Sequence, residues 1–190
     1  TPALPPIMAE MGIDAATAQW LTTGFTLVNA IMIPITAFLI DRFTTRSLFI
    51  VSMAIFALGS LLCGIAPNFP LLLTGRLAQA AGAGILMPMV MTVLMLMFPV
   101  ERRGTAMGMF GVVIAFGPAI GPTVAGLVID HYSWRDLFLA IAVFSAIVIA
   151  VTPFVLQKQK PHSEGVVLDK PSLILSTLGF GTMLYGFSVI

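Results

Sequence analysis

Charge is what this sequence has least of. Only 9% of its 190 residues are Asp, Glu, Lys or Arg, where a soluble domain carries about 25%. So few charges could not cover the surface of a water-soluble protein of this size. Cysteine is nearly absent too. Cys63 stands alone, which excludes an internal disulfide framework and a Cys-rich metal site. The two histidines, His131 and His162, fall in expected loops and are too few to form a metal cluster, so no metal or cofactor is expected. A net charge of +1 gives no basis for a nucleic-acid partner. There is no Walker-type Gly-rich loop with Lys, and the spanning segments hold no intramembrane acid, His pair or Ser/His/Asp set. An enzyme is therefore not expected, and no signal peptide is visible.

What the sequence has instead is long apolar runs. Hydrophobic residues make up 58% of the chain, and its mean hydropathy is +1.05. A spanning helix needs about 20 mostly apolar residues. Reading between charged and Pro-rich breaks gives five full spans: Trp20 to Ile40, Leu48 to Ala66, Leu71 to Phe98, Thr105 to Ile129 and Leu137 to Leu156. Thr1 to Met8 reads as the tail of a helix that begins earlier, and 171–190 as the start of another. The runs are continuous rather than alternating, so the expected class is all-α, a polytopic helix bundle, since lipid admits only helices or closed barrels. The expected organisation is a bundle over 1–156, a cytoplasmic linker over 157–170 and the next helix from 171.

Seven of the nine basic residues fall on alternate loops: Arg42 and Arg46, Arg102 and Arg103, and Lys158, Lys160 and Lys170. Those loops are expected to be cytoplasmic. Met8–Gln19, Ala66–Pro70 and Asp130–Asp136 then face outward, with Arg135 their sole basic residue.

Three stretches carry candidate chemistry. Asp41, Arg42 and Arg46 sit at a helix end, where an acid beside two arginines can form a charge network and engage a helix dipole. Flanking charge of the ordinary positive-inside kind reads the same residues without function. Arg76 lies several residues into an apolar run, a placement that costs about 2.5–3.5 kcal/mol on insertion scales. Such a charge persists where it faces a partner or a wet cavity, unless it snorkels to the interface. Gln79, three residues on, shares its face. The third stretch places Gly111, Gly117, Pro118, Gly121 and Pro122 in a single span. Small residues there let helices approach closely, and prolines bend or interrupt a helix. Met87, Met91 and Met95 also recur every four residues. They suit a site for varied apolar ligands, although lipid-facing or core packing is the commoner fate of such a stripe.

Together these stretches resemble the signatures of the major facilitator superfamily, most closely its fourteen-helix drug:proton antiporters. Leu39, Asp41, Arg42 and Arg46 resemble the loop motif Gly-x-Leu-Ala-Asp-Arg-x-Gly-Arg-Arg, with Ala37 and Thr44 in place of both glycines. Arg76 to Gly84 resembles the fourth-helix motif Arg-x-x-Gln-Gly-x-Gly-Ala, with Ala80 for the first glycine. Gly111 to Pro122 resembles the fifth-helix antiporter motif Gly-x-x-x-x-x-Gly-Pro-x-x-Gly-Gly, with Pro122 for the last glycine. Trp20 to Leu27 and Ser133 to Phe138 resemble the openings of the second and sixth helices.

The resemblance implies the N-terminal half of a proton-coupled exporter of drugs or other amphipathic molecules, working by alternating access in the cell membrane. Arg76 and Gln79 would serve proton coupling. Asp41, Arg42, Arg46, Gly117, Pro118, Gly121 and Pro122 would serve gating, and Met87, Met91 and Met95 would contact substrate. The implied partners are a small-molecule substrate, protons, the lipid bilayer and the C-terminal half of the same protein. An exporter or symporter of another solute, such as an organic acid or siderophore, stays open, as does a non-transporting scaffold or sensor.

Overall fold

A computed structural model describes residues 2–156, together with 179 and 182. The expected linker and, save for those two positions, the expected next helix lie outside the described residues. Among the described residues six helices follow one another: α1 (Leu4–Met11), α2 (Ala15–Arg42), α3 (Thr45–Ile65), α4 (Phe69–Met97), α5 (Val100–His131) and α6 (Trp134–Val155). Those from α2 to α6 are each long and apolar enough to cross a membrane. The shortest, α3, has 21 residues, about 32 Å at the α-helical rise and so matched to a bilayer core.

Each expected span is present, but its helix starts two to five residues earlier. For all but α5, which Pro99 precedes without a side-chain cap, the reason lies in the caps. Asp14, Thr44, Asn68 and Ser133 each accept a hydrogen bond from a backbone N–H of the following turn, at 3.0–3.3 Å. The first turn after each cap mixes polar residues among apolar ones, so an apolar run understates the helix. Ser133 and Asp136 form a reciprocal capping box. Between α1 and α2 the chain turns at Gly12, whose φ of 63° is left-handed and suits glycine.

The centre of the bundle is the crossing of α3 and α4, with α6 against α3 and α2 against α4. Glycine sets how closely these helices pack. A Cβ placed on Gly75 would lie 2.7 Å from Cys63 Sγ and 2.9 Å from the Gly59 carbonyl oxygen. One on Gly82 would lie 2.6 Å from the Ser52 carbonyl oxygen, and one on Gly84 2.6 Å from Met32 Cβ of α2. Backbones this near gain the dispersion contacts that hold membrane helices together.

Two apolar clusters flank the crossing. One gathers Ile7, Leu21, Cys63, Leu72, Trp134 and Phe138 near the end expected to face outward. The other gathers Leu48, Ile85 and Met89. Buried hydroxyls are satisfied locally: Ser52, Ser145 and Thr152 each donate to the carbonyl four residues back, at 2.7–2.8 Å. Among the described residues no buried side-chain nitrogen or oxygen lacks a partner.

Within this chain the close approaches through small residues belong to α3 and α4, whereas a Cβ on Gly104, Gly108, Gly111, Gly117, Gly121 or Gly126 would meet nothing within 4 Å among the described residues. Nor do the prolines interrupt α5, which runs unbroken from Val100 to His131 through Pro118 and Pro122. Only Ala106 of α5 is buried, because the helix borders α4 and α6 lightly. Its Gly/Pro face is open among the described residues.

Candidate functional site

Arg76 emerges from α4 about two turns past the cap at Asn68, so its guanidinium lies among apolar neighbours from other helices. The group sits 4.7 Å from the ring centroid of Phe25 on α2 and 5.8 Å from that of Phe138 on α6. Faces of aromatic rings attract a cation, more strongly where water is scarce. Nη1 donates to Oε1 of Gln79 at 3.0 Å. Among the described residues no carboxylate pairs with this arginine; the one ion pair lies elsewhere. Arg76 borders a cavity of about 130 Å³ that touches Ile7 of α1, Leu21 of α2, Ala125 of α5 and Phe138 of α6. A cation is thus held beside a small void where five helices converge.

Gln79 is buried, and its amide is engaged at both ends. Nε2 donates to Oγ of Ser60 on α3 at 2.7 Å, and Ser60 in turn donates to the Phe56 carbonyl at 2.8 Å. The Cys63 thiol completes the group, 3.9 Å from Gln79 Oε1 and 3.6 Å from the Leu72 carbonyl oxygen. Arg76 and Gln79 are therefore brought together as expected. Ser60 is the member that sequence reading missed. No local pattern marks it, because its partner lies 19 residues on and meets it only once α3 and α4 cross.

The other candidates lie apart from this group. Asp41 and Arg42 close α2, and Arg46 stands in the first turn of α3. Arg42 rests 5.9 Å from the Phe38 ring centroid, and these three residues form no ion pair among the described residues. Met87, Met91 and Met95 line one exposed face of α4, each about half accessible, while Met89 turns inward to the core. Met87 falls eleven residues beyond Arg76, about 16 Å along the axis and within roughly 20° of the same face. Gly117, Pro118, Gly121 and Pro122 lie on the exposed length of α5.

A second polar group stands at the end expected to face outward, and it explains the lone basic residue there. Arg135, at the start of α6, pairs with Glu10 of α1 and donates through Nη2 to the Ala66 carbonyl at 2.8 Å. Trp134 Nε1 donates to the same carboxylate at 2.6 Å, and the Arg135 guanidinium lies 4.4 Å from the indole centroid. Glu10 thus ties α1 to α6, and Arg135 ties α6 to the end of α3. The hydrogen bond from Arg135, then that from Trp134, holds the Glu10 carboxyl below the usual carboxylate range.

Because the folded form prefers the ionised group, its contribution is present above the ordinary carboxylate pKa and fades as acid titrates Glu10. The Arg135 and Glu10 side chains are 28% and 46% exposed, so Glu10→Gln is expected to cost only about 1 kcal/mol or less. Thermal unfolding of the purified protein in detergent checks this. The difference between parent and variant should shrink as pH falls below the carboxylate range.

Residues 1–189 match the family profile described as Major Facilitator Superfamily. The chain is 52% identical over 186 residues to the uncharacterized MFS-type transporter YhcA of Bacillus subtilis, covering 98% of this chain and 35% of that protein. It is 43% identical over 190 residues to the lincomycin resistance protein LmrB of the same organism, covering 98% of this chain and 39% of LmrB. The chain thus spans well under half the length of these relatives. In fold it is similar to a bacterial homologue of the human lysosomal transporter Spinster, solved inward-facing and unoccupied. There the TM-score is 0.63 at 18% identity, covering 90% of this chain and 41% of that one. A match along nearly the whole sequence, joined to an all-helical bundle with five spanning helices, places this integral membrane chain in the Major Facilitator Superfamily, a family of transporters rather than enzymes.

Proposed function

We propose that the full-length protein exports drugs or other amphipathic small molecules in exchange for protons, by alternating access across the cell membrane. The observation that carries this reading is Arg76: a cation kept inside an apolar bundle, bonded to Gln79, set over two aromatic rings and bordering a cavity. An intramembrane charge is costly unless it works. A site that must sense proton movement needs such a charge where water and helices meet. The similarity to a lincomycin resistance protein favours a drug-like cargo.

In this reading residues 1–156 form the N-terminal bundle, 157–170 the cytoplasmic linker, and the helix from 171 leads toward the C-terminal half. The open face of α5, with Gly117, Pro118, Gly121 and Pro122, is where that half packs. Small residues suit a surface that must seal and release during a rocking cycle. Asp41, Arg42 and Arg46 act at the cytoplasmic edge of the same gate. Met87, Met91 and Met95 contact cargo along the exposed face of α4, where flexible thioethers adapt to varied shapes.

The test uses inside-out vesicles that carry the full-length protein and hold an acid-inside proton gradient. Addition of a lipophilic cationic dye is expected to discharge the gradient measurably faster than in vesicles without the protein. A gradient that survives a panel of such dyes overturns drug export and moves another exported solute ahead.

A further inference from the structure

We propose that Ser60 is a positioning residue for Arg76, acting through the amide of Gln79; the inference rests on the transport reading above. The hydrogen-bond chemistry leaves one arrangement. A guanidinium can only donate, so the Gln79 carbonyl oxygen must face Arg76, as it does at 3.0 Å. The amide NH₂ is then turned toward α3, where it needs an acceptor inside a buried interface. Ser60 supplies one. Its own proton is committed to the Phe56 carbonyl at 2.8 Å, which leaves its oxygen lone pairs free to accept from Gln79 at 2.7 Å. Donation therefore runs one way, from Arg76 to Gln79 to Ser60 to the α3 backbone.

Neither Gln79 nor Ser60 is solvent-accessible to any useful degree, at 2% and 0% exposure. Water cannot readily replace a lost partner there. Ser60→Ala leaves the NH₂ of Gln79 with no acceptor. The amide can then keep its place with an unmet donor, or rotate and present that donor to a guanidinium made only of donors. Either way the amide loses the anchor that holds its oxygen against Nη1 of Arg76. Close approach of the helices makes the chain short enough to work: a Cβ on Gly59 would lie 2.6 Å from the Gln79 backbone nitrogen.

Ser52 provides a matched control within the same helix. It is buried to the same 0% exposure, and its hydroxyl donates to the Leu48 carbonyl at 2.7 Å, but it accepts nothing from α4 among the described residues. Ser52→Ala removes the same atom and the same back-bond. A difference between the two variants isolates the link to Gln79.

Two measurements on the full-length protein test the proposal. In proton-loaded inside-out vesicles, Ser60→Ala is expected to lower kcat for dye-driven proton exchange by about tenfold, with KM changed far less. Ser60→Thr, which keeps the acceptor oxygen, is expected to restore most of the rate, and Ser52→Ala to stay near the parent. In detergent, phenylglyoxal modification of Arg76, followed by peptide mass spectrometry, is expected to run several-fold faster in Ser60→Ala than in the parent or Ser52→Ala. An Arg76 reactivity unmoved by Ser60→Ala overturns the positioning role, as does an equal loss of exchange in both serine variants. A parent that exchanges no protons while Arg76 reactivity still responds to Ser60→Ala sinks the transport reading and keeps the structural link.

Discussion

Replacing Arg76 with lysine is expected to lower proton-coupled exchange by about a hundredfold while leaving the helices folded. Charge is conserved in this variant, so the prediction turns on shape. The guanidinium is flat, which allows it to lie 4.7 Å from the centroid of Phe25 while one of its nitrogens reaches Gln79 at 3.0 Å. An ammonium is a compact point charge and more strongly hydrated. It can meet the ring or the amide oxygen but cannot span them as a rigid fork does. It would draw water into the cavity of about 130 Å³ beside it, and so alter the solvation on which proton coupling depends. Dye-driven discharge of a proton gradient in vesicles measures the loss. Circular dichroism and size-exclusion elution of the purified variant check that the fold persists. A lysine variant that exchanges at the parental rate would show that position 76 needs only a positive charge.

The architecture was largely readable before any coordinates, because hydropathy over about 20 residues is a one-dimensional property that the bilayer imposes directly. The boundaries were less so. Asp14, Thr44, Asn68 and Ser133 extend their helices into polar sequence that a hydropathy reading discards. Arg76 with Gln79 was legible for a local reason, since residues three apart on a helix share a face. Ser60 was not, and neither was Glu10, whose partners Trp134 and Arg135 lie 124 and 125 residues away. Contacts of that separation are set by how the helices pack, which no window along the chain contains. Phe25 and Phe138 occupy a middle ground. Both fall in stretches resembling the family's helix openings, but their shared role beneath one guanidinium appears only in three dimensions.

Glycine shows the same divide, because one residue type does opposite things on two helices. Gly75→Ala and Gly82→Ala are each expected to destabilise the bundle by about 1–3 kcal/mol, whereas Gly121→Ala should leave the stability of these helices unchanged. The new methyl on Gly75 would meet the Gly59 carbonyl oxygen at 2.9 Å and the Cys63 backbone nitrogen at 3.0 Å; on Gly82 it would meet the Ser52 carbonyl oxygen at 2.6 Å. These are backbone atoms of a packed helix and cannot swing aside, so α3 and α4 must separate. Separation removes the dispersion contacts on which helix association in lipid depends. It also draws Ser60 away from Gln79, so both variants should lose transport beyond what their stability alone explains. At Gly121 the added carbon meets nothing within 4 Å among the described residues. Any transport defect there must come from surfaces beyond these helices, where the proposed function places the C-terminal half. Unfolding in mixed detergent, followed by circular dichroism, separates the two classes. Equal destabilisation by Gly75→Ala and Gly121→Ala would mean that Gly121 is packed as closely as Gly75, and the contrast drawn between the two helices would be lost.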